Sequence, residues 1–334
     1  MNSSYLGLSP ISLQTSMMNY FLSCDWGTTS LRIRLADILS GEIIAEEISA
    51  EGIASTFNLW QQNGGLNSER VDFYLDILNH HIKNLEDKTS RSLSGVQVVI
   101  SGMASSAIGI IEIPYAHAPV PVDGSGLETV IIPAHDRFKH DVVIISGVRT
   151  SDDVMRGEET QLIGCIAAAQ QVKNEVYIFP GTHSKHIQVR DNRVTGIKTY
   201  MTGELFDLLS NQSILKNNVE AGADLSLDSF KQGLKEAASA DLLHSIFKVR
   251  TNHFFNIYNK ADNYSYLSGL LIGAELNGLA SIATDTISLV CGHGLSSYYQ
   301  MALAELFSSK NVQIVPAAQA DAASVMGQIK ITKA

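Results

Sequence analysis

Cysteine is scarce in this sequence. Cys24, Cys165 and Cys291 stand far apart, and no CxxC spacing occurs. An odd, sparse set cannot build a disulfide framework and suits a reducing compartment, so the expected location is cytoplasmic. Long apolar runs are missing too, and nothing approaches the ~20 consecutive apolar residues of a membrane helix. Positive charge is in deficit, with 24 Lys and Arg against 34 Asp and Glu and a formal net charge of −10. Nucleic-acid binders grip phosphate backbones with clustered Lys and Arg, so that class is excluded, whereas a small acidic ligand needs only local cations. Residues 1–19 lack Lys and Arg and have no long apolar core, so they do not read as a secretory signal. They read as an N-terminal extension without fixed structure, and the Met17-Met18 pair is a candidate later start.

Several chemical signatures are absent as well. No GxxxxGK[ST] occurs, which removes P-loop kinases, and no GxGxxG follows a strand, which argues against a dinucleotide dehydrogenase. There is no GxSxG elbow. His183, His186 and His293 are scattered, without HxH or HExxH spacing, so a zinc site is not expected.

An approximate internal duplication is present. Residues 20–23 are apolar, Cys24-Asp25-Trp26-Gly27-Thr28-Thr29 forms a turn, and Leu31–Leu35 alternates before a further turn and Glu42–Glu46. That is strand, Gly-Thr turn, strand, turn, strand. Residues 176–200 repeat the plan: Val176–Phe179, then Pro180-Gly181-Thr182-His183-Ser184, His186–Val189, an Asp191–Arg193 turn and Val194–Tyr200. Strand candidates follow at Val96–Ile100, Val142–Ile145, Ile287–Val290 and Val312–Val315. Helical periodicity covers Val71–Leu85, Gly157–Ala169, Gly203–Ser210, Ser229–Ala238, Asp241–Val249, Tyr266–Leu279, Leu295–Phe307 and Ala317–Ile329. Alternating strands and helices make the class α/β, with a boundary near residue 175 and halves that share a cleft.

Two turns carry the strongest chemistry. In Asp25–Thr29, a Gly- and hydroxyl-rich turn aims backbone N–H groups at an anion, and an Asp at the strand end can hold a hydrated Mg²⁺. Gly181–Lys185 has the same logic with a cation added. Either turn alone could be an ordinary β-turn, but two of them, each opening a three-strand unit, point to one anion gripped from both sides. The segment Asp152–Thr160 places four carboxylates and Arg156 at a helix start. Carboxylates there complement the helix dipole, and one of them could also serve as base for a hydroxyl while Arg156 steers an anion. Cys291–Leu295 puts Gly292 and Gly294 at another helix start, where a nucleotide could pack closely. Ser101-Gly102-Met103 follows a strand and could line the site.

With these strings in hand, the chain resembles the 2-dehydro-3-deoxygalactonokinase family of the actin, hexokinase and Hsp70 superfamily. The resemblance runs from about residue 20 to about residue 330. It rests on Asp25–Arg32, Ser101–Met103, Pro114-Tyr115, Asp153–Leu162, Pro180–Lys185, Met201–Leu205 and Leu267–Glu275. The MRGEETQ and MTGE strings are the most specific. The chain departs from the family pattern at Ala107, Ile110, His186 and Ala318-Gln319, the first two where sugar-acid contacts are expected.

The resemblance implies two ribonuclease H-like, actin-like ATPase domains around a cleft, residues 20–175 and 176–334, the second including the C-terminal helix. It implies transfer of phosphate from ATP to the 6-hydroxyl of 2-dehydro-3-deoxy-D-galactonate, with Mg²⁺ at Asp25. Gly27, Thr28, Thr29, Gly181, Thr182 and Ser184 would hold phosphates through N–H and hydroxyl groups, and Lys185 would offset developing charge. Glu158 is the first candidate for base and Asp153 the second. Arg156 would take the substrate carboxylate, beside Ser101, Gly102 and Met103. Gly269, Gly273, Gly292 and Gly294 would flank adenosine. A kinase for a related sugar acid, a superfamily phosphohydrolase and a non-catalytic nucleotide-gated module are the alternatives. The module would need an appended peptide-binding or filament segment, and little sequence follows the last expected helix. No nucleic-acid or membrane partner is expected, and a homodimer is left open.

Overall fold

The computed structural model describes residues 19–167, 170–222, 225–239 and 241–334. The extension expected over residues 1–19 lies, but for its last residue, outside them.

The first sheet grows from an antiparallel meander, β1 (Tyr20–Trp26), β2 (Leu31–Asp37) and β3 (Ile43–Ser49). Strands β4 (Val98–Gly102) and β8 (Val142–Ile145) extend it in parallel, and β7 (Thr129–Ile132) closes the edge. The order is β3-β2-β1-β4-β8-β7. Strands β4 and β8 are buried along their whole length, as expected of parallel strands covered on both faces, whereas edge strand β7 alternates. The second sheet repeats the plan with β11 (Asn174–Phe179), β12 (Ser184–Arg190), β13 (Arg193–Tyr200), β14 (Thr286–Leu289) and β15 (Asn311–Ile314). Its order is β15-β14-β11-β12-β13-β6, where β6 (Val120–Pro121) arrives from the first half of the chain. A small third sheet joins β5 (Ala116–His117), β9 (Val148–Arg149) and β10 (Val154–Met155).

Helices α1 (Ile53–Gln62) and α2 (Arg70–Thr89) lie on the outer side of the first sheet, where Tyr74, Leu78, Ile82 and Leu85 pack on Leu22, Cys24, Ile33 and Leu35. The second sheet is backed by α5 (Leu227–Ala237), α7 (Lys260–Asn277) and α8 (His293–Leu306), with α6 (Leu242–Phe254) further out and α4 (Thr202–Asp207) after β13. Between the sheets lie α3 (Glu158–Cys165) and α9 (Ala317–Ile331). Ile163, Val325 and Ile329 pack on Phe21, Val99 and Val143 of the first sheet. Leu162, Cys165 and Ala323 pack on Tyr177, Ile187 and Val189 of the second.

The two central helices touch backbone to backbone. A Cβ at Gly164 would lie 1.9 Å from the Ala323 carbonyl, and one at Gly327 would lie 1.9 Å from the Thr160 carbonyl. Apart from β6, the strands of the first sheet lie within residues 20–145 and those of the second within residues 174–314. Helix α9 does not follow that division, because it closes against α3 and anchors the first sheet. Gln328 donates to the Cys24 carbonyl (2.9 Å) and to Ser101 Oγ (3.0 Å), tying α9 to β1 and β4. The three cysteines are free thiols and all are buried. No described helix is long and apolar enough to cross a membrane.

Candidate active site

The carboxyl ends of β1 and β11, the N-terminus of α3 and the N-terminus of α8 converge. The first turn leaves β1 after Asp25. Gly27 N–H donates to Ser30 O (2.9 Å), while the carbonyls of Gly27 and Thr28 accept from the amides of Ile53 (2.9 Å) and Ala54 (3.1 Å) at the start of α1. With its carbonyls held behind it, the turn exposes Thr28 and Thr29, whose amides have no partner among the described residues. Gly102 lies behind the end of β1 at φ +92°, where a Cβ would come within 2.7 Å of the Trp26 carbonyl. Gly157, at φ +115°, abuts Gly102 in turn, so α3 starts against the Asp25 strand end.

Asp25 is half-buried, and its carboxylate has one long contact, from Ser324 Oγ at 3.4 Å. Burial raises its pKa; Arg32 opposes that shift and the Glu158 carboxylate adds to it. A carboxylate so sparsely hydrogen-bonded, with like charge beside it, fits a divalent cation that keeps most of its water.

The second turn lies between β11 and β12. Gly203 packs its Cα side on this turn, where a Cβ would come within 2.5 Å of the Gly181 carbonyl, and Glu204 N–H donates to Thr182 O (3.0 Å). Lys185 is buried, and its Nζ lies 3.4 Å from Glu158 Oε1. A residue from the second half thus meets the start of α3 from the first. Glu158 Oε2 also accepts from the Arg156 amide at 3.1 Å.

The Arg156 guanidinium stacks over the Tyr115 ring at 4.0 Å and donates through Nη1 to the carbonyl (2.5 Å) and hydroxyl (2.6 Å) of Ser105. Its Nε is buried without a partner among the described residues. Ser105 carried no signal in the sequence, and Tyr115 entered only through the Pro114-Tyr115 string of the resemblance. The loop that follows Ser105 is held from behind, since Arg70 donates to the carbonyls of Ala107 (2.6 Å) and Gly109 (2.8 Å) and Tyr74 donates to that of Ile108 (2.6 Å).

Glu159 was counted among the four carboxylates at the helix start but was given no role of its own. It is buried and accepts from the Gly157 amide at 2.8 Å. Burial, with the charge of Glu158 adding to it, pushes its pKa up to about 7. A raised folded-state value means that the folded protein binds this proton more tightly than the unfolded chain. Stability is therefore lost as pH rises from about 4.5 to about 7. Glu159→Gln is expected to stabilise the protein at pH 8 by on the order of 3 kcal/mol, and little at pH 4. Denaturant melts at both pH values check this; equal shifts at the two would refute it.

The structure corrects several expectations. Asp153 is not free to act as a base, because its carboxylate accepts from the Thr199 amide (2.7 Å) and hydroxyl (2.6 Å), clamping β10 to β13. Ser101 is buried with its hydroxyl under Gln328, and Gly102 is buried behind β1, so of that trio only Met103 is partly exposed. Gly269 and Gly273 face α5: a Cβ would lie 2.1 Å from the Phe230 carbonyl at the first and 2.7 Å from Ala237 Cβ at the second. They allow close helix packing and do not line a nucleotide site. Ile110 is buried in the first core and offers no contact to a sugar. Ser184 is wholly buried, and the Gly181 amide points inward to its Oγ (3.3 Å). Thr182 and His183 are the exposed residues of this turn, and their amides have no partner among the described residues.

Gly294 does border an open space, and a Cβ at Gly292 or Gly294 would meet nothing within 4 Å. This cavity of about 190 Å³ runs from Gly181 to an apolar slot formed by Phe206, Tyr264, Leu271, Leu295 and Tyr298. A flat aromatic group could enter it with a phosphate chain leading back to the turns.

The chain is similar to known proteins over most of its length. A sequence profile of the 2-keto-3-deoxy-galactonokinase family matches residues 25–330. A relative from Rhizobium meliloti (strain 1021), named as a probable 2-dehydro-3-deoxygalactonokinase, is 32% identical over 90% of this chain and 94% of its own. The 2-dehydro-3-deoxygalactonokinase of Escherichia coli (strain K12) is 30% identical over 84% of this chain and 88% of its own. The crystal structure of a Sinorhizobium meliloti protein assigned to the same activity superposes with a TM-score of 0.75 at 31% identity, covering 92% of this chain and 95% of that one. The chain belongs to the 2-keto-3-deoxy-galactonokinase family.

Proposed function

We propose that this chain transfers the terminal phosphoryl group of ATP to the 6-hydroxyl of 2-dehydro-3-deoxy-D-galactonate, yielding ADP and the 6-phosphate in galactonate breakdown, in the cytoplasm. The observation that carries this reading is the approach of Lys185 to Glu158 at 3.4 Å, which sets a cation and a carboxylate between two phosphate-type turns.

Phosphoryl transfer needs positioning and charge neutralisation more than covalent help. The amides of Thr28, Thr29, Thr182 and His183 bind phosphate oxygens. The apolar slot beside Gly294 takes the adenine. Asp25 would hold Mg²⁺, which would supply charge neutralisation at the phosphates when bound. Arg156, held flat by Tyr115 and Ser105, takes the substrate carboxylate in a charge-assisted pair. Glu158 accepts the hydroxyl proton as the new O–P bond forms and the bond from the γ-phosphorus to its bridging oxygen breaks. Lys185 neutralises the charge that develops on the leaving ADP.

A coupled ADP-release assay over a panel of 2-keto-3-deoxy sugar acids and neutral sugars tests this. Strong signal with 2-dehydro-3-deoxy-D-galactonate and weak signal with its stereoisomers is expected. Signal with neutral sugars alone would overturn the sugar-acid reading, and ADP release without any sugar would favour a phosphohydrolase.

A further inference from the structure

Beneath the second turn lies a buried carboxylate that the reaction itself does not use. Glu275, on α7, is 2% exposed. Its Oε1 is 2.9 Å from His186 Nε2, and its Oε2 accepts from the Tyr299 hydroxyl at 2.7 Å and the Thr202 hydroxyl at 2.5 Å. Tyr299 Oη is also 3.1 Å from Ser184 Oγ, which accepts from the Gly181 amide at 3.3 Å. One side chain therefore joins α7, α8, the start of α4 and the phosphate turn.

Hydrogen-bond capacity fixes the direction of this chain. An ionised carboxylate only accepts, so Tyr299 and Thr202 spend their single protons on Glu275. Tyr299 Oη must then accept from Ser184, whose Oγ accepts from Gly181. The run is Gly181 N–H to Ser184, Ser184 to Tyr299, Tyr299 to Glu275. His186 Nδ1 is buried without a partner among the described residues, and its Nε2 donates to Glu275 Oε1. The Ser184 hydroxyl has no proton left for a phosphate. Its place in the chain instead takes up the Gly181 amide, while the amides of the next two residues, Thr182 and His183, have no partner among the described residues.

We propose that Glu275 is a positioning residue for the nucleotide: by ordering the Tyr299–Ser184 chain and the Thr202 hydroxyl, it sets the phosphate turn and two walls of the adenine slot in register. The inference rests on the nucleotide site of the proposed function but not on the identity of the sugar. Thr202, Tyr299 and Gly181 all border the slot, so the chain couples the phosphate end of the site to its apolar end. Gln at position 275 has one acceptor where three donors meet, so the direction of the chain breaks. Phe at position 299 keeps the ring and removes the link.

The test is ADP binding by calorimetry with Mg²⁺, for wild type, Glu275→Gln, Tyr299→Phe, Ser184→Ala and the Glu275→Gln/Tyr299→Phe double variant. Each single variant is expected to weaken ADP about tenfold or more, with sugar-acid affinity unchanged, and the double is expected to lose much less than the product of the two single losses. Should Glu275→Gln fail to fold, Tyr299→Phe and Ser184→Ala carry the test. ADP affinity within about twofold of wild type in those two, or an equal loss of sugar-acid affinity as in general loosening, would overturn the proposal. Wild type that binds ADP yet phosphorylates no sugar acid would refute the proposed function and leave this test intact.

Discussion

Glu158→Gln is expected to slow turnover by about 10²–10⁴-fold, the usual contribution of a positioned base, while ADP affinity stays equal or rises. The split follows from the neighbours of Glu158. Its Oε1 faces Lys185 at 3.4 Å, and its Oε2 accepts from the Arg156 amide. Glutamine keeps the shape and can still accept from that amide, so α3 starts in the same place. It cannot take a proton at neutral pH. Removing the negative charge also leaves Lys185 without its counter-ion, which favours bound phosphate. Single-turnover rates and ADP titration check both parts. Turnover within threefold of wild type, well short of the expected loss, would move the base to another group.

Arg156→Ala is expected to raise KM for the sugar acid by about 10–150-fold, as befits loss of a charge-assisted hydrogen bond worth about 1.5–3 kcal/mol, with KM for ATP changed little. The guanidinium is pre-oriented by the Tyr115 ring and by Ser105, and its buried Nε has no partner among the described residues. Arg156→Lys should recover only part of the loss, because an ammonium cannot reproduce the planar fork. Steady-state kinetics with each substrate varied in turn separates the two KM values. An equal rise in both would mean that the substitution disturbs α3 and not the anchor.

The repeated strand-turn-strand plan was legible because its signals are local: an apolar run, a Gly-Thr turn, an alternating strand. Both meanders fold as the pattern indicates, and Glu158 and Lys185 do meet. What the sequence hid was partnership. Helix α9 reads as the end of the second half, yet the partner of its Gly327 is Thr160, far away in sequence. Gly269 and Gly273 looked like nucleotide glycines, because small residues that admit a ligand and those that admit another helix have the same local signature. Asp153 and Glu158 are both acidic residues near a helix start, and what distinguishes them is that Thr199 clamps the first while the second faces Lys185. Helix α1 was missed, although its first amides hold the first turn. The two-residue strands β5, β6, β9 and β10 are too short to show any period. The polarity of the Ser184–Tyr299–Glu275 chain depends on three separate elements, and no window of sequence contains it.

The central claim is that phosphate passes from ATP to a sugar-acid hydroxyl in the cleft between the two sheets. Phosphorus NMR of the purified protein with ATP, Mg²⁺ and 2-dehydro-3-deoxy-D-galactonate tests it most directly. Equal amounts of ADP and a phosphomonoester coupled to the protons on C6 of the sugar acid are the predicted result. ADP accompanied by inorganic phosphate alone, or no loss of ATP, would contradict it.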